Sequence, residues 1–362
     1  MSDYYKGICY EPFPKPYDPS TANNTCIFYG SDIAYDPIAP LWGKSYTSST
    51  GSSCDKCRND LQTLKDMGVN LIRLYDWDAR NNHWNFMNKC SELGIKILAP
   101  VSNWWLTDGW KLPNKLDLVK GLIKSFLNLP LSFGTDYHPA IAGIIIGNEP
   151  GLNGISTQRC IEFTNLYATA EAQYGGGVKL TRIPLGHPVD FSLYGGKYPC
   201  WGFWQPLIDS KSQWFVDRLF LAPQTYNGAD YLFKNAEGSG KGYVELTYQQ
   251  FKKPILFTEI GQDRTKDGYL ETVKGQLTGC RTYSQKNPGQ LLGTCYFEFA
   301  DKVWMQGTSE GSFGACSHTD TILCTVTYGG KDFTHWEVDC TGDTLSPDAL
   351  TQNPVYDVLV KS

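Results

Sequence analysis

The chain of 362 residues is poor in charge: Asp, Glu, Lys and Arg make up 19% of it, with a formal net charge of −5. A globular chain carries about a quarter. No basic run is present, which argues against a nucleic-acid partner. No run of 18 apolar residues occurs, so no membrane span is expected. Met1-Ser-Asp-Tyr-Tyr-Lys6 lacks the apolar core of a signal peptide. Histidine is scarce: residues 83, 138, 187, 318 and 335 form no HExxH and no i, i+4 pair. A glycine-rich phosphate loop ending in Lys-Ser/Thr is absent, as are repeats, linkers and low-complexity tracts. No cofactor and no metal are therefore expected.

Aromatic residues are plentiful instead, at 14%, with 11 Trp and 22 Tyr. Sugar rings stack their apolar faces on aromatic rings, so this richness suits a carbohydrate cleft; a large core also consumes many of them. Twelve cysteines (9, 26, 54, 57, 90, 160, 200, 280, 295, 316, 324, 340) are many for a cytosolic enzyme. The even count predicts several disulfides and an oxidising, extracellular or cell-surface setting. Cys9 and Cys295 fall inside expected strands, as buried free thiols would. Cys54-x-x-Cys57 lacks a second ligand pair for zinc and is expected to serve disulfides. Asn23-Asn-Thr25 has the N-glycosylation spacing.

Short apolar runs alternate with helical periodicities along the chain. Strands are expected at 6–12, 69–76, 95–102, 141–149, 178–184, 218–226, 254–261 and 290–299. Helices are expected near 54–67, 80–93, 116–128, 156–173, 241–252 and 267–286, several stopped by glycine. Eight strands separated by helices imply a (β/α)8 TIM barrel over residues 1–315. Residues 316–362 then form a C-terminal extension packed on the barrel, with Thr325-Val-Thr-Tyr328 and Trp336-Glu-Val338 as hairpin strands. The long segment before residue 54 reads as a functional loop on the carboxyl face.

Two of the runs end in a carboxylate. Ile141-Ala-Gly-Ile-Ile-Ile-Gly-Asn-Glu-Pro150 ends in Glu149, and Pro254-Ile-Leu-Phe-Thr-Glu-Ile-Gly261 carries Glu259. Barrel enzymes place their chemistry at such strand ends. Two carboxyls there can cleave a glycosidic bond, one protonating the leaving oxygen and the other attacking the sugar. Asn148 adds an amide for a neighbouring sugar hydroxyl. Trp104, Trp105, Trp110, Trp201, Trp204 and Trp304 are candidate sugar platforms. Asp76 and Asp78 read as solvated loop acids, with binding of substrate hydroxyls or a cation as the alternative, and Glu298 as a carboxyl with a structural hydrogen-bond role or a place in the substrate site.

Asn148-Glu149-Pro150 and Thr258-Glu259 resemble the acid/base and nucleophile of the clan A glycoside hydrolases, which are retaining barrel enzymes. Cys57 to Asp76 (CRNDLQTLKDMGVNLIRLYD), then Asn82-His83 and Gly94-Ile95, are similar to the fungal β-1,3-glucanosyltransferases of family 72. A more distant likeness is to the family 17 β-1,3-glucanases. The chain differs in Pro150 and in Phe297 and Phe299, where family 72 has tyrosines around a glutamate like Glu298. The resemblance implies Glu149 as acid/base and Glu259 as nucleophile. It also implies Arg73 as the arginine that steadies the nucleophile, and Tyr226 as the tyrosine that donates to it. Tyr75, Asn148, Trp104, Trp105 and Glu298 complete the substrate-binding set.

The expected function is a monomeric retaining β-glycosidase or transglycosylase on a β-glucan oligo- or polysaccharide, with β-1,3 linkage favoured. Its carboxyls are expected about 5–5.5 Å apart, with a raised pKa on Glu149. The alternative is a glucan-binding surface protein that keeps the barrel without turnover. Hydrolysis and transfer stay open.

Overall fold

A computed structural model describes residues 4–11, 13–15, 17, 32–128, 136–174, 180–192, 195–333 and 339–362. Eight parallel strands close into a barrel: β1 (Tyr5–Cys9), β2 (Leu71–Arg73), β3 (Lys96–Val101), β4 (Ile141–Ile146), β5 (Leu185–Asp190), β6 (Leu219–Thr225), β7 (Ile255–Ile260) and β8 (Leu291–Tyr296). The ring closes because β1 pairs with both β2 and β8. Helices alternate with these strands: α1 (Asp60–Asp66), α2 (Trp84–Leu93), α3 (Lys115–Ser125), α4 (Thr157–Tyr174), α5 (Trp201–Asp209), α6 (Tyr243–Phe251), α7 (Tyr269–Lys286) and the final α8 (Pro354–Lys361). This is the (β/α)8 barrel that the sequence implies. Among the described residues no helix is long and apolar enough to cross a membrane.

Strands buried on both faces need near-continuous apolar runs. Ile8, Ile72, Ile97, Ile144, Ile146, Leu221, Ile255 and Phe257 share one core with the helices. Cys9, Leu71, Leu98, Ile145, Phe220, Ala222, Leu256 and Cys295 form a second core, the packed barrel interior. Cys9 and Cys295 are thus buried free thiols.

The largest departure from expectation is β5, which starts at Leu185 rather than near 178. Its run Leu-Gly-His-Pro-Val-Asp contains two strand breakers, which hides it from pattern reading. The packing explains the glycine: a Cβ on Gly186 would lie 2.6 Å from the ring of Phe220, its register partner on the neighbouring β6. At the other end of the chain order, the first helix is shorter than expected. Cys54 sits in a two-residue ladder, Ser53–Cys54 against Tyr46–Thr47, and α1 begins only at Asp60.

Among the described residues disulfides are fewer than the cysteine count suggests. Cys54 bonds Cys324, 270 residues away, and Cys340 is also disulfide-bonded. Cys57 and seven other cysteines are free thiols. The Asn23 sequon, Cys26 and Trp336–Val338 lie outside the described residues. Val326–Thr327 pairs instead with Thr344–Leu345.

After the barrel, β9 (Cys316–Ile322) pairs antiparallel with β10 (Asp348–Gln352). An ionic knot ties this sheet to the barrel. Asp348 is fully buried, accepts from the Lys15 backbone amide at 2.8 Å, and lies 2.8 Å from His318 Nδ1 and 3.5 Å from an Arg58 nitrogen. Arg58 in turn grips Asp60 of α1 at 2.9 and 3.0 Å. Without Asp348 the Lys15 amide and His318 lose a buried acceptor, whereas Arg58 keeps Asp60. Asp348→Ala is therefore expected to lose about 1–3 kcal/mol of stability in urea unfolding. A loss below about 1 kcal/mol would show that the tail is held by something else.

Candidate active site

Glu259 reaches the barrel mouth because β7 carries one residue too many. Thr294 and Tyr296 of β8, two apart, stand opposite Phe257 and Ile260, three apart. Leu221 and Gln224 of β6, three apart, stand opposite Ile255 and Glu259, four apart. Phe257 and Ile260 both pack in the outer core, so the alternation slips once between them. Such a β-bulge re-aims a side chain, and here it sets Glu259 beside Gln224.

The Glu259 carboxylate is 5% exposed and surrounded by donors. Its Oε1 accepts from Tyr75 Oη at 2.8 Å, from Gln224 Nε2 at 2.8 Å and from the Arg73 guanidinium. Its Oε2 accepts from Tyr226 Oη at 2.8 Å. Arg73 is fully buried and also donates to Thr258 O at 3.1 Å and to Asn148 Oδ1. Gln224 Nε2 donates to the same Asn148 oxygen at 2.8 Å. Asn103, just after β3, locks Asn148 from behind: its Nδ2 donates to Asn148 O at 2.8 Å, and its Oδ1 accepts from Asn148 N at 2.9 Å.

Glu149 is presented differently. The chain turns sharply beyond β4, with Gly147 at φ +73° and Glu149 itself at φ +45°. A left-handed conformation is uncommon for a side chain like this and marks strain held by its surroundings. Its amide donates to Pro188 O of β5 at 3.0 Å, which holds the turn in place. Burial pushes the Glu149 carboxyl up to about 7; the charges of Glu259, Asp190 and Glu310 push the same way, and Arg73 opposes them. The mouth thus holds one carboxylate saturated with donors and one carboxyl that titrates near neutrality. That pairing suits a nucleophile and a proton-transfer group.

Six of the expected site residues converge here: Arg73, Tyr75, Asn148, Glu149, Tyr226 and Glu259. Trp104 stands on the rim, 46% exposed, and is available to a ligand. Trp105 is 8% exposed and packs between Trp104 and Phe163 in the wall. Trp110 is flanked by Lys115 and Arg159. Trp204 is buried in α5, and Trp201 donates to Thr247 Oγ1 at 3.0 Å; both pack rather than face the mouth. Trp304 packs edge-on against Phe13 and Tyr17. Glu298 is buried beneath Lys302. Asp76 is not a solvated loop acid: burial pushes it up to about 7, and the charge of Asp32 adds to that. Asp78 pairs with Arg80 at 2.6 Å.

Gln224, Asn103, Asp190 and Glu310 were not legible as site residues. Gln224 alone left a trace, since it precedes Tyr226 by two positions and so shares its face of β6. The spacing Gly307-Thr-Ser-Glu-Gly311 matches a serine-hydrolase elbow. It lies on a 3-10 turn rather than a strand-to-helix corner, and among the described residues Ser309 Oγ makes no hydrogen bond to a histidine.

Residues 17–107 match the glucanosyltransferase family, glycoside hydrolase family 72. The chain resembles the family 72 enzymes. A 1,3-beta-glucanosyltransferase gel1 from Aspergillus fumigatus is 31% identical over 75 residues, which cover 21% of this chain and 16% of that protein. The 1,3-beta-glucanosyltransferase GAS5 of Saccharomyces cerevisiae is 20% identical over 297 residues, 76% of this chain and 56% of that one. The solved structure of Saccharomyces cerevisiae Gas2p in complex with laminaripentaose superposes with a TM-score of 0.58 at 17% identity, over 99% of this chain and 64% of Gas2p. That likeness establishes the barrel fold. The family 72 relatives are longer, and the chain spans less than two thirds of each.

The Glu149 environment predicts a pH effect on stability. Its native pKa of about 7 stands above the roughly 4.3 of an unfolded glutamate, so the native state binds the extra proton between those values. Stability is therefore highest at the acid side of that window and falls as pH rises through it. Glu149→Gln mimics the protonated form and is expected to flatten the decline, read as urea midpoints from about pH 4.5 to 7.5. An unchanged slope would contradict the raised pKa.

Proposed function

We propose that the chain is a retaining β-glycosidase or transglycosylase acting on β-1,3-glucan. One observation carries this reading: the contrast between Glu259, clamped by Arg73, Tyr75, Gln224 and Tyr226, and Glu149, which titrates near neutrality beside it. The relatives are named for 1,3-beta-glucanosyl transfer, and Gas2p binds laminaripentaose, which supports the substrate class.

In the first step a Glu259 oxygen attacks the anomeric carbon. The bond to the leaving sugar breaks as Glu149 gives that oxygen its proton. Oε2 is the better placed to attack, because it carries one donor where Oε1 carries three. Arg73 and Gln224 stabilise the remaining charge and fix Asn148 for the hydroxyl next to the reacting carbon. In the second step the Glu149 carboxylate takes a proton from incoming water or a sugar hydroxyl. That oxygen attacks the glycosyl-enzyme and releases Glu259. Trp104 offers an exposed ring for a sugar further along the chain. The Cys54–Cys324 disulfide fits an extracellular or cell-surface setting.

The test is product analysis by mass after incubation with defined β-1,3- and β-1,4-gluco-oligosaccharides. Longer β-1,3 products indicate transfer, and only shorter ones indicate hydrolysis. Glu259→Ala is expected to lower kcat/KM by about 10⁴-fold. Wild-type turnover in that variant, or binding of the oligosaccharide without any turnover in the wild type, would overturn the proposal.

A further inference from the structure

A second cation feels the charge of Glu259. Lys302, in the loop after β8, has its Nζ 3.3 Å from Glu11 Oε2 and 3.6 Å from Glu298 Oε2, with its side chain only 14% exposed. It also lies over two rings, 5.8 Å from the centroid of Tyr75 and 5.1 Å from that of Phe297. The Arg73 guanidinium is 4.3 Å from the same Tyr75 centroid. The tyrosine that donates to Glu259 is thus held by two cations.

The charges around Lys302 explain why it is needed. Glu11 reaches it from the end of β1, Tyr75 from the end of β2, and Phe297 and Glu298 from the end of β8; Glu259 of β7 and Glu310 of the 3-10 turn Ser309–Ser312 act on it through their charges. Glu298 is 1% exposed, and its Oε1 finds no hydrogen-bond partner among the described residues. Burial disfavours its ionised form, and Lys302 is the group that opposes this. Carboxyls this crowded repel one another unless a cation sits among them.

We propose that Lys302 is a positioning residue for the nucleophile: it fixes the Tyr75 ring, and so the Tyr75–Glu259 hydrogen bond, while serving as counter-charge to Glu11 and Glu298. The inference rests on the assignment of Glu259 as nucleophile made above. Its effect is electrostatic and geometric, so charge as well as bulk must matter at position 302.

The test is the rate at which a 2-deoxy-2-fluoro-β-laminarioligosaccharide fluoride labels Glu259, followed by intact mass and peptide mapping. Fluoride departs without the Glu149 proton, so the rate reports on the nucleophile. Lys302→Met is expected to slow labelling by about tenfold or more and to move the acid limb of its pH profile upward. Lys302→Arg is expected to restore most of the rate, and in a Tyr75→Phe background Lys302→Met should cost much less than in the wild type. Should Lys302→Met not fold, Lys302→Gln is read in the same way. Labelling of the neutral variant within about twofold of wild type, with an unmoved pH profile, overturns the inference alone. A wild type that is never labelled at Glu259 overturns the nucleophile assignment and this inference with it.

Discussion

A carboxylate that is 5% exposed survives as an anion only where donors replace the water it has lost. Glu259 meets that condition through Arg73, Tyr75, Gln224 and Tyr226, contributed by the ends of two other strands. The rest of the mouth follows from this requirement. Arg73 is itself buried and needs acceptors, which it finds in Glu259, Thr258 O and Asn148. Asn148 is fixed in turn by Gln224 and by the reciprocal pair with Asn103. One chain of charge-assisted contacts therefore runs from β7 through β2 and β6 to the ends of β4 and β3, and it sets the site before any ligand arrives.

The same network separates the two glutamates. Donors crowd Glu259, while Glu149 sits at the end of a strained turn among the charges of Glu259, Asp190 and Glu310. Two identical side chains thus meet different surroundings: Glu259 is ringed by donors, and burial with like charges pushes Glu149 up to about 7. The cations repeat the theme at the next level out. Arg73 and Lys302 both lie near the Tyr75 ring, and Lys302 sits among Glu11, Glu298 and Glu310.

Stability far from the mouth is organised by another buried ion cluster. Asp348 in β10 and Asp60 in α1 share Arg58, and the Cys54–Cys324 disulfide fastens the same two regions. The segment after the barrel is thereby attached to the segment before β2. The free thiols of Cys9 and Cys295 play a different part, filling the barrel interior as small apolar groups.

Much of this was readable in advance. Seven of the eight strands announced themselves because a strand buried on both faces has to be an apolar run, and the two glutamates stood out because each interrupts such a run. β5 escaped notice since Gly186 and Pro188 are chosen for packing against Phe220 and for holding Glu149, not for strand propensity. Trp105, Trp201 and Trp204 could not be told from platforms, because burial depends on neighbours that are remote in sequence. Disulfide pairing was equally hidden, since Cys54 and Cys324 are 270 residues apart.

By itself, then, the sequence determined the barrel, the order of its strands and the two carboxyls at their ends, because those depend on local hydrophobic pattern. Only the tertiary structure decided that Glu259 faces inward. Strict alternation from Leu256 would send it outward, and the extra residue of the β7 bulge reverses that. A bulge is a property of the pairing between strands, so no single strand's sequence can state it.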